Sequence, residues 1–106
     1  MRSQSFMAEL GDLVEKVRSK NAGPFWVTVD IFCGSEAVFR RVAEGLSDAR
    51  VAKALGTSPE ALRRFEIASL NVVKFSCPRP VVQGTRFDRD MHGAGWGALI
   101  AELEVN

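Results

Sequence analysis

Asp88, Asp90 and His92 alternate in the segment QGTRFDRDMHG, and His92 is the only histidine in the chain. In an extended backbone, alternate residues point to one side, so two carboxylates and an imidazole can converge. Such a group could bind a divalent cation. It could also form an acid/base pair, with an aspartate orienting and charging the imidazole. A plainer role is open too: Asp88 or Asp90 caps the following helix, and Asp88 pairs with Arg86 or Arg89. Those arginines oppose a second cation at short range. The expectation is therefore an acid/base or interaction cluster at a helix N-terminus, with Asp90 as its cap and no metal.

A second polar group precedes the first apolar strand pattern. Arg18, Ser19, Lys20, Asn21, Ala22, Gly23 and Pro24 offer two cations, a hydroxyl, an amide and a bendable backbone. A loop of this kind can wrap a carboxylate or phosphate with an arginine fork and free N–H groups. The alternative is a helix C-cap whose basic residues sit at the negative end of the helix dipole. Gly93, Gly95 and Gly97 also alternate, which leaves one side of a helical turn bare for close approach of backbone or ligand.

The chain that must position these groups has 106 residues, the size of a single domain. Its hydrophobic content of 46% excludes disorder. Fourteen Lys and Arg against thirteen Asp and Glu leave +1, without the basic excess of a dedicated nucleic-acid binder. The first residues lack the apolar stretch of a secretory signal. No apolar run approaches the roughly 20 residues of a membrane span. Cys33 and Cys77 each end an apolar alternation and read as buried thiols. A cytoplasmic protein with no membrane or nucleic-acid partner is expected; no cofactor is indicated.

Leu10, Leu13, Val14 and Val17 stand at helical spacing, followed by a break across residues 18–25. In FWVTVDIFC the odd positions from Phe25 to Cys33 are all apolar, which predicts a strand with one face in a core. Ser35 caps a helix bearing Val38, Phe39, Val42 and Leu46. Ser47 opens a second helix, which Gly56 ends. Ser58 and Pro59 allow one more turn through Leu62. RFEIASL and NVVKFSC alternate around Asn71 as an antiparallel hairpin, and Phe65, Ile67, Val73 and Phe75 are expected in the core. A polar loop with two prolines then leads to a helix carrying Trp96, Leu99, Ile100 and Leu103. The mixture calls for an α+β fold, a two-layer sandwich with a small, largely antiparallel sheet.

RVAKALGTSPEALRRF places Ala52, Leu55, Gly56 and Leu62 as a helix-turn-helix would. The near-neutral charge, the strand pattern that follows, and Pro59 and Glu60 at the second helix start favour two packed helices instead.

The pair KNAGPF and PRP…QG…D.DMHG, here residues 20–25 and 78–93, resembles the signatures of the DUF4387 family, and the likeness runs from about Leu10 to Val105. More loosely, the layout is similar to the C-terminal ferredoxin-like domain of the acyclic terpene utilisation (AtuA) proteins. There an RSGDKG-type loop takes the place of residues 18–23 and a D-x-QGK-type loop that of residues 90–93. Asn21 and Ala22 depart from that loop's acidic-basic pair. The resemblance implies a ferredoxin-like fold and an accessory subunit beside a large AtuA-like chain. It implies a catabolic setting of branched or terpene-derived carboxylic acids or their CoA thioesters, with a homo-oligomer also open. The residues expected to act are Asp88, Asp90 and His92 in proton transfer. Those expected to hold an acidic ligand are Arg18, Ser19, Lys20, Asn21, Gly23, Arg79, Gln83 and Gly84. A stand-alone lyase using Asp88, Asp90 and His92, and a DNA-binding regulator built on residues 50–65, are the rival readings.

Overall fold

The structure is a computed structural model that describes residues 8–22, 25–78 and 93–105, the side chains of residues 93–96 excepted. Its elements in chain order are β1 (Ala8–Glu9), α1 (Leu10–Leu13), β2 (Lys16–Asn21), β3 (Trp26–Phe32), α2 (Glu36–Gly45) and α3 (Asp48–Leu55). Then come β4 (Arg63–Ile67), a 3₁₀ turn (Ala68–Leu70), β5 (Val72–Pro78), α4 (Gly93–Ala101) and β6 (Glu104–Val105). Strands β2-β3-β5-β4 form one sheet in that order, and β1 pairs with β6. Every pairing among the described residues is antiparallel.

The local signals act as their chemistry requires. The Ser35 hydroxyl accepts from the Val38 N–H at 3.2 Å, and the Ser47 hydroxyl from the Arg50 N–H at 3.2 Å. Gly56 closes α3 at φ 75°, where a side chain is unfavourable. Asn71 turns the β4–β5 hairpin at φ 54°, a left-handed position that asparagine tolerates. Residues 58–62 make a single turn, with the Ser58 hydroxyl accepting from Ala61 N–H at 3.3 Å. The second helix of a helix-turn-helix is therefore not formed there; β4 begins at Arg63.

The helices cover one sheet face. Val27, Val29 and Ile31 of β3 and Val73, Phe75 and Cys77 of β5 are buried with Phe39, Val42, Leu46, Val51, Leu55 and Ile100 in one core. The odd-numbered register expected for β3 is thus present from Val27 to Cys33; Phe25 lies outside the strand, exposed. Cys33 and Cys77 are free, buried thiols. Burial pushes the Cys33 thiol from 9.0 up to about 11 and raises Cys77 as well, because an apolar interior disfavours thiolate.

Two expectations are corrected. The helical spacing of residues 10–17 yields a helix only at Leu10–Leu13; Lys16–Asn21 is strand. Its alternation of Lys16, Arg18 and Lys20 with Val17 and Ser19 suits an edge strand with one wet face. Phe65 and Ile67 do not join the core. Phe65 pairs with Lys74 and Ile67 with Val72, on the opposite face from Phe75, and Phe65 is 46% exposed. A shift of one residue turns every side chain over, and Arg64 takes the helix side.

From β3 onward the order is strand, helices, strand, strand, helix, as in a ferredoxin-like β-α-β-β-α-β unit. The strand expected after the last helix is replaced by β2, which comes before β3 and lies beside it. Helix α4 packs most heavily on β2. The architecture is a small α+β sandwich whose sheet is circularly permuted relative to that order.

Candidate functional site

Three cations project from one side of β2 because strand side chains alternate. Lys16 pairs with Phe32, Arg18 with Asp30 and Lys20 with Thr28, all on the face away from the helices. Arg18, Ser19, Lys20, Asp30 and Phe32 line a shallow recess of about 120 Å³. Neither Arg18 nor Lys20 has a carboxylate within ion-pair distance among the described residues. The Lys16 ammonium stands 5.0 Å from the Phe32 ring centre, a cation–π contact.

Asp30 sits in the middle of this face. Its Oδ1 is buried, and no hydrogen-bond donor reaches it among the described residues. Lys74 Nζ lies 3.6 Å away, close enough for charge pairing and too far for a good hydrogen bond. A buried carboxylate oxygen without a donor is costly. The recess thus offers two cations for an anionic group, an aromatic wall and an acceptor short of a donor.

The expected ligand-binding residues separate by face. Arg18 and Lys20 share the open side. Ser19 pairs with Val29 and Asn21 with Val27, on the helix side. The Ser19 hydroxyl accepts from Gly97 N–H of α4 at 2.6 Å. A Cβ at Gly97 would stand 3.1 Å from that hydroxyl, so the glycine is what lets helix and strand meet. Asp30, Phe32 and Lys74 escaped the sequence reading. Their signal was the even-numbered, half-polar face of β3 together with the polar positions of β5.

Gly23, Arg79, Gln83, Gly84, Asp88, Asp90 and His92 lie outside the described residues, as does the proposed cap at Asp90. The described chain on either side of residues 79–92 is placed nevertheless. Pro78 pairs with Trp26, and α4, which begins at Gly93, meets Ser19 through Gly97. No helix among the described residues is long and apolar enough to cross a membrane.

Searches of curated proteins and of solved structures find no match. The family model described as Domain of unknown function (DUF4387) matches residues 10–104, nearly the whole chain, and the protein belongs to that family.

Proposed function

We propose that this domain is an accessory subunit of an AtuA-like catabolic complex acting on branched or terpene-derived carboxylic acids or their CoA thioesters. Its part is to lend an anion-binding surface to a larger catalytic chain. The observation that carries this reading is the recess on the open sheet face, where Arg18 and Lys20 lack carboxylate partners among the described residues. An arginine fork beside an ammonium suits a carboxylate or phosphate. Asp88, Asp90 and His92 would supply proton transfer, and Arg79, Gln83 and Gly84 would join Arg18 and Lys20 in holding the acidic ligand. The chain flanking that segment is held at Pro78 against Trp26 and at Gly97 against Ser19.

The test is co-expression with a large AtuA-like chain that lacks this domain. A stable complex that turns over a branched acyl thioester is expected. Arg18→Ala and Lys20→Ala should each raise KM severalfold while the complex still elutes as one species. Failure of the two chains to associate, or full turnover without the small chain, would overturn the reading.

A further inference from the structure

We propose that the open face of the four-stranded sheet is a docking surface for an acidic patch on a partner protein, with Trp26 and Phe65 as apolar anchors. The proposal rests on the subunit reading for the existence of a partner. It adds the surface used and the chemistry of what binds it.

The register lays the face out in rows. One row is Lys16, Phe32, Val72 and Ile67; the next is Arg18, Asp30, Lys74 and Phe65; the third is Lys20, Thr28, Ser76 and Arg63. Trp26 pairs with Pro78 at the end of the central strands. Five cations therefore stand against one carboxylate. The described residues together carry ten cations and eleven carboxylates, so this face holds +4 and the rest of them −5. Such segregation is a property of the face that composition hides. Among the described residues, every helix lies on the other side of the sheet. Trp26 and Phe65 are 39% and 46% exposed, and exposed aromatic side chains are typical anchors of protein interfaces.

Other occupants fit less well. A second copy bound through the same face would set five cations against five, which an isologous contact cannot avoid. A single-stranded nucleic acid needs rings in file for successive bases. Here Trp26 lies at the end of a central strand, Phe65 on the edge strand, and the Phe32 ring is already covered by the Lys16 ammonium. Asp30 would also face the phosphates. An acidic protein surface can place its carboxylates on Lys74 and Arg63, clear of the Arg18–Lys20 recess, and its apolar groups on the two exposed rings.

The experiment measures binding of three probes to the purified chain: a 20-residue oligoglutamate peptide, an oligothymidylate of the same length, and phosphatidylglycerol vesicles. Each is tested at low and at high salt, alongside co-elution with the large AtuA-like chain. Arg63→Glu combined with Phe65→Ser alters the β4 edge, across the sheet from Arg18 and Lys20; Arg63→Glu alone serves if the double variant unfolds. The expected result is preference for the acidic peptide, weakening with salt. The variant should lose about tenfold in affinity for the peptide, about 1.4 kcal/mol, with its melting temperature unchanged and with an unchanged affinity for citrate, taken as a small carboxylate probe of the Arg18–Lys20 recess. Preference for the oligothymidylate or the vesicles, binding of no probe, or an undiminished variant would each overturn the proposal. Peptide binding without co-elution would sink the subunit reading and leave the surface standing. Undiminished co-elution of the variant would do the reverse.

Discussion

At Arg64 the guanidinium donates to Leu46 O at 2.8 Å and to Ala43 O at 2.6 Å, carbonyls at the C-terminal end of α2 that the helix itself leaves without donors. It also meets Asp48 at 2.9 Å and Glu66 at 2.8 Å, and its cation lies 5.5 Å from the centre of the Phe75 ring. Arg64 is therefore a cap and a clamp, with its stem covering the core. Arg64→Met keeps much of the stem and removes the donors, so unfolding free energy should fall by about 1–3 kcal/mol in urea. Arg63→Met, next along the strand and exposed, should stay within about 0.5 kcal/mol. Equal effects at the two sites would show that the capping bonds contribute nothing. The sequence held no sign of this role, because the carbonyls Arg64 reaches belong to a helix far earlier in the chain. The cysteines are a second case at this scale. In the unfolded chain the thiols ionise near their ordinary 9.0, while folded Cys33 ionises near 11. Above pH 9 the unfolded state thus holds fewer protons than the folded one. Stability is fully present below that value and declines as pH rises toward 11. Cys33→Ser should flatten that decline in alkaline melting curves; an unchanged slope would assign it to other groups.

Among the elements, β3 was legible and β2 was not, for the same physical reason. The alternation in β3 is saturated, with every core-facing position apolar, so no helix could bury it. In β2 the helix-side positions are Val17, Ser19 and Asn21, only the first of them apolar, and the Ser19 hydroxyl bonds a helix 78 residues away. A strand whose core face is completed by such a contact carries little alternation of its own. Ser19→Ala should leave the Gly97 N–H without this acceptor and cost about 1–3 kcal/mol, read as a shift in the urea midpoint. The β4 register makes a sharper pair. Val29 is fully buried and Phe65 half exposed, so Val29→Asp should prevent folding by burying an unpaired charge. Phe65→Asp should remain soluble and cooperative. Circular dichroism melts separate the two, and a folded Val29→Asp or an unfolded Phe65→Asp would refute the observed register. The sequence read β4 upside down because Arg64 and Glu66 look like a wet face until the Arg64 contacts are seen.

For the whole molecule, the sandwich and the helix caps were legible because they depend on local spacing, whereas strand order depends on contacts that spacing does not encode. Half of the candidate site was legible for the same reason. Arg18 and Lys20 stand out by type, but only the pairing of β2, β3 and β5 sets them beside Asp30, Phe32 and Lys74. The permuted order leads to one more prediction. Ala8 pairs with Val105 across the β1–β6 ribbon, so these positions lie about 5 Å apart, the spacing of paired strands. Ala22 and Phe25, on either side of the β2–β3 turn, are both exposed. Joining residue 105 to residue 8 by a short Gly/Ser linker and opening the chain between residues 23 and 24 would run the elements from β3 to β2, with the sheet order unchanged. Chain breaks at exposed turns are tolerated when the ends they join are already neighbours. The permuted chain should therefore melt cooperatively, within about 8 °C of the original, the equivalent of about 1 kcal/mol for a domain of this size. It would retain Arg18, Lys20 and Asp30 in their rows while cutting the backbone at Gly23, so citrate binding should survive if those side chains hold the anion. A folded permutant that has lost citrate binding would move the anion site from the sheet face to the turn.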